Sequence, residues 1–107
     1  MALITLAEAK QYLRVDTADE DSLISSLLLT AEVLVKDVGR VSDENWAAAA
    51  ADPAEDDTDD VVYLRSVCKA AAMYTLAYLF EHREDADHHD LMLTLRNLLF
   101  AVREGVV

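Results

Sequence analysis

The chain has 107 residues, 53% of them hydrophobic, and 21 acidic against 9 basic side chains leave a formal charge of -12. That length suits one domain able to bury a core without metals or disulfides, and two glycines with one proline supply too few turns for an all-β fold. The acidity argues against a surface that grips nucleic-acid phosphates or docks on an anionic membrane, so the partners should be proteins.

Thr5 with Glu8 three residues later is a capping box, in which hydroxyl and carboxylate each satisfy an orphan backbone N–H, so a helix begins at the fifth residue. Leu6, Ala9 and Leu13 continue it at helical spacing. Asp16, Thr17 and Asp19 then supply capping chemistry for a second helix, expected from about Asp19 to Val38. Its main stripe is Leu23, Ile24, Leu27, Leu28, Ala31, Leu34, Val35 and Val38, and Gly39 suits the left-handed position just after it. Leu29 and Val33 lie off that stripe and widen the apolar face beyond what one neighbour covers. They are candidate oligomer or partner contacts.

Asp43 to Ala51 reads as a short helix anchored by Trp46, capped by Ser42 or Asp43 and ended by Asp52-Pro53. Asp52, Glu55, Asp56, Asp57, Asp59 and Asp60 follow as a dense acidic run that repels itself and stays extended. A long third main helix should run from Thr58 or Asp59 to Glu84. Its second half is apolar nearly all round, which makes it the central helix or one buried between subunits. A last helix from about Asp87 to Arg103 carries Leu91, Leu95, Leu98 and Val102 on one stripe, with Met92 and Leu99 beside it. The expected architecture is all-α: a single-domain bundle of about four helices with a long central third helix and a long acidic loop, Gly39 to Asp60, before it.

Chemistry is hard to find in this chain. His82, Asp85, Asp87, His88, His89 and Asp90 are close enough to suggest a metal, but no HExxH-type pattern supports one, and a solvated capping cluster accounts for them. The acidic run lacks the glycine and distal glutamate of an EF-hand loop. Cys68 is the sole cysteine, among Leu64, Ala71 and Ala72, and reads as a buried structural thiol. Tyr74 and Tyr78 read as packing residues. Ser25 and Ser26 are mid-helix without the turn a hydrolase needs. The longest uncharged run, Ala70 to Phe80, is about half of the roughly 20 residues a membrane span takes, and no export signal is visible. The expectation is no enzyme, no cofactor and no metal.

Three blocks carry a resemblance. Thr5, Ala9, Lys10, Leu13, Arg14, Val15 and Asp16, with Asp21 before the second helix, form the first; Ala70 to Glu84, ending Phe80-Glu81-His82-Arg83-Glu84, is the second; Leu95 to Arg103, with Leu98-Leu99 and Arg103, is the third. In order and spacing they resemble the small head-tail connector, or adaptor, family of tailed bacteriophages and prophages. The resemblance implies a structural virion protein, made in the bacterial cytoplasm and placed at the head-tail interface. It implies a homo-oligomeric ring, typically twelve subunits, between the portal protein and a tail-completion or stopper protein, prolonging a channel through which DNA passes unheld. On that reading Asp52, Glu55, Asp56, Asp57, Asp59 and Asp60 are candidates to line the channel, and Arg103, Val106 and Val107, in the short tail, to order on a neighbouring ring. The alternative is a non-viral all-α interaction module or small dimeric regulator.

Overall fold

The computed structural model describes residues 3–82 and 89–102. Its elements are α1 (Leu6–Leu13), α2 (Asp21–Val38), α3 (Asp43–Ala50), α4 (Asp59–Glu81) and α5 (His89–Leu99), which continues into a 3₁₀ turn at Phe100–Val102. No strand occurs among the described residues, so the chain is all-α there, with five α-helices in place of about four. The difference is α3. Its alanines favour helix, Ser42 Oγ accepts the Asn45 N–H at 3.1 Å, and Trp46 packs on the core. The connection from Gly39 to Asp60 is therefore a helix followed by a short acidic turn, not one long loop.

The capping box of α1 forms as read: Thr5 Oγ1 accepts the Glu8 N–H at 3.1 Å, and Glu8 Oε1 accepts the Thr5 N–H at 3.1 Å. Thr58 caps α4 through its hydroxyl alone, which accepts the Val61 N–H. α2 begins two residues later than the spacing suggests, and Asp16, Thr17 and Asp19 do not cap it. Glu20 occupies the cap position without a side-chain cap bond, while Asp21 sets its carboxylate in the first turn and 2.8 Å from Lys10 Nζ of α1.

α1 and α2 end in the same motif. In each, an N–H just past the helix reaches back five residues (Val15 to Lys10 O at 2.9 Å, Val41 to Lys36 O at 3.1 Å), and the N–H before it reaches back three. The left-handed residue that closes each is an arginine, Arg14 at φ 60° and Arg40 at φ 52°. Gly39, expected in that conformation, is right-handed at φ -76°. What Gly39 answers is space: a Cβ there would lie 3.0 Å from Val35 O and 3.3 Å from Val41 Cγ2.

α4 has 23 residues, about 35 Å at 1.5 Å per residue, and spans nearly the longest dimension of a 38 × 32 × 18 Å molecule. It packs against all four other helices, and most extensively on α2. Buried Ala9, Ala31, Ala71 and Ala72 let the backbones approach closely, and Ile4, Ile24, Leu76, Leu91, Leu95 and Leu99 fill the core between them. Lys69 Nζ to Glu8 Oε2, at 2.7 Å, ties α4 to α1. α4 stops at Glu81, and the His82 ring stacks on Tyr78 with centroids 4.2 Å apart. On α5 the buried stripe is Leu91, Leu95 and Leu99; Leu98, expected on it, is exposed.

Candidate functional site

Two features stand out from this frame. The first is a groove of about 440 Å³ between the N-terminal segment, α2 and α3, walled by Ile4, Leu6, Leu28 and Trp46, with Leu29 and Val33 on its rim. Leu29 is 67% exposed and Val33 49%. At the floor lies Glu32, whose carboxylate is buried and accepts the Leu3 N–H at 2.8 Å. Burial pushes its carboxyl above the ordinary glutamate range, while the N–H groups of Leu3 and Ile4 pull it part of the way back. The Lys36 ammonium, one turn further on, is engaged with Asp43 at the start of α3. Glu32 was missed by the sequence reading, although its place beside Ala31 and four residues after Leu28 puts it on the buried face.

The second feature is the acidic turn. Asp57 does not point into solvent with its neighbours. Its Oδ2 accepts the Ala54 N–H at 3.0 Å and pairs with Arg65 Nη1 at 3.0 Å, and these donors hold its carboxyl below the ordinary range. Arg65 Nε also bonds Ala49 O at 2.9 Å, so one guanidinium joins α4, the turn and the end of α3. The run is thus folded into a turn at Ala54–Asp57 and not extended. Asp52, Glu55, Asp56, Asp59 and Asp60 all stand exposed. Arg103, Val106 and Val107 lie outside the described residues.

Among the described residues, nothing in the geometry offers catalysis. Cys68 is fully buried and its thiol is pushed up to about 11 by desolvation, so it is inert at neutral pH. Among the described residues no three His, Cys, Asp or Glu side chains gather as metal ligands; Asp85, Asp87 and His88 lie outside them. Ser25 and Ser26 are exposed on α2. No described helix is long and apolar enough to cross a membrane. What the chain presents is shape, apolar patches and charge.

A protein-family model described as Phage gp6-like head-tail connector protein matches residues 3–103. The chain belongs to this family. No curated protein and no solved structure matches it. A head-tail connector is a structural component of the phage particle and not an enzyme, which accords with a fold whose polar side chains are spent on caps, ties and surface charge. In this connector Glu32 shapes the floor of the groove and Arg65 holds the acidic turn.

Proposed function

We propose that this connector forms a closed ring of twelve that docks on the portal protein and carries the tail-completion or stopper protein on its other side. The observation that carries the reading is the family match across residues 3–103. Exposed apolar side chains on more than one helix support it, because a head-to-tail ring needs two different patches on every subunit.

The charge has a place in the same picture. Carboxylates facing the lumen repel phosphates over about 8 Å at physiological salt, letting DNA pass without being held. Asp52, Glu55, Asp56, Asp59 and Asp60 are the candidates, with Asp57 contributing through the turn it fixes. Each added subunit also brings another -12, a repulsion that opposes assembly of the free protein and that a portal offsets by gathering the copies. Arg103, Val106 and Val107 are proposed to order on the neighbouring ring.

Deleting the gene from its phage or prophage is the test of the joining role. DNA-filled heads and finished tails should accumulate separately, and supplying the protein should join them. Joined particles from the deletion would overturn the reading.

A further inference from the structure

The groove is matched by a second patch on the same chain. Leu93, Arg96 and Asn97 on α5 and Phe100 in the turn that continues it recur at the spacing of one helical face, opposite the buried Leu91, Leu95 and Leu99, and all four are exposed. Among the exposed large apolar side chains, Leu29 on the groove rim and Phe100 on this stripe stand furthest into solvent, at 67% and 62%.

Charge complements shape. Lys10, Lys36, Arg65 and Lys69 each pair with a carboxylate, whereas Arg96, in the middle of the α5 stripe, has no such partner among the described residues, as is also true of Arg14 and Arg40 at the helix ends. The Glu32 carboxylate at the groove floor has N–H donors but no cation paired with it among the described residues, since Lys36 is taken by Asp43. One patch is apolar around an exposed cation, and the other is apolar around a buried carboxylate.

Resting on the ring reading above, we propose that the α5 stripe of one copy seats in the α1–α2–α3 groove of the next. Phe100 and Leu93 cover Leu29 and Val33, and the Arg96 guanidinium reaches the Glu32 carboxylate. The patches lie on different elements, so each copy uses its groove toward one neighbour and its stripe toward the other. Such a contact repeats around a closed ring.

The test uses two full-length variants, each broken on one side only. Leu29→Asp spoils the groove and leaves the stripe, and Phe100→Asp does the reverse; both sites are exposed, so both variants should keep the wild-type melting profile. Each alone should fail to form rings on the portal where the wild type does, and the two mixed should give a 1:1 dimer and nothing larger by native mass spectrometry. Within that dimer, Arg96→Gln in the Leu29→Asp copy and Glu32→Gln in the Phe100→Asp copy should each weaken binding about tenfold, and together little more than either alone. Wild-type rings with no effect of either aspartate, or folded variants that never pair, would overturn the interface while leaving the ring standing. A wild type that never assembles on the portal would remove the ring reading and this interface with it.

Discussion

Glu32 shows how one side chain can work against stability and still be needed. Its carboxylate satisfies the Leu3 N–H in a place with little water, so Glu32→Ala should cost about 1–3 kcal/mol in urea unfolding by leaving that donor unpaired. Its ionisation has the opposite sign. The folded chain holds the Glu32 proton more tightly than the unfolded chain does, so this contribution is fully present below the unfolded value and is lost as pH rises through the folded one. Glu8, Asp43 and Asp57 are held below their ordinary ranges by Lys69, Lys36 and the Ala54 N–H respectively; what they contribute is present above the unfolded values and lost as pH falls through the folded ones. As pH is lowered from neutral toward the ordinary glutamate value, melting curves should therefore show wild type gaining stability relative to Glu32→Gln, with the other three unaffected until more acid conditions. Parallel curves for the two proteins would contradict this assignment.

At the scale of elements, much was legible and the reasons are local. A hydroxyl at Thr5, Ser42 or Thr58 placed before an apolar or alanine run can be read from spacing alone, because a cap depends on residues three apart. The helix ends were less legible. Gly39 drew the left-handed assignment by its type, yet the chain turns one residue later, where Arg40-Val41 repeats the Arg14-Val15 closure and buries Val41. Replacing Arg40 with Gly should relieve its positive φ and stabilise the fold by about 0.5–1 kcal/mol, measured by thermal melting. The Leu98 and Leu99 exchange was not legible because the sequence leaves the rotation of α5 about its axis open by one residue. Asp57 and Arg65, eight positions apart across a turn and a helix start, belong to no short-range pattern. Arg65→Ala should release the end of α3, seen as faster amide exchange at Ala51, whose N–H bonds Ala47 O. Unchanged exchange there would mean that α3 holds itself.

For the whole molecule, the sequence-level resemblance and the family match agree on a head-tail connector, and the geometry adds where its unpaired surfaces lie. An apolar groove, an apolar stripe on α5 and a row of outward carboxylates are more than a lone five-helix bundle requires, and a chain carrying -12 resists gathering unless a partner overcomes the repulsion. Replacing Asp52, Glu55, Asp56, Asp59 and Asp60 with Asn should therefore ease self-association in low salt and slow DNA ejection from assembled particles; unchanged ejection would remove these residues from the channel. The most direct measurement is the mass of the purified protein by light scattering, alone across a range of salt and then mixed with the portal protein of the same genome. A closed ring of connector subunits, alone or only on the portal, is the result this account predicts. A monomer or dimer that ignores the portal under every condition would contradict it.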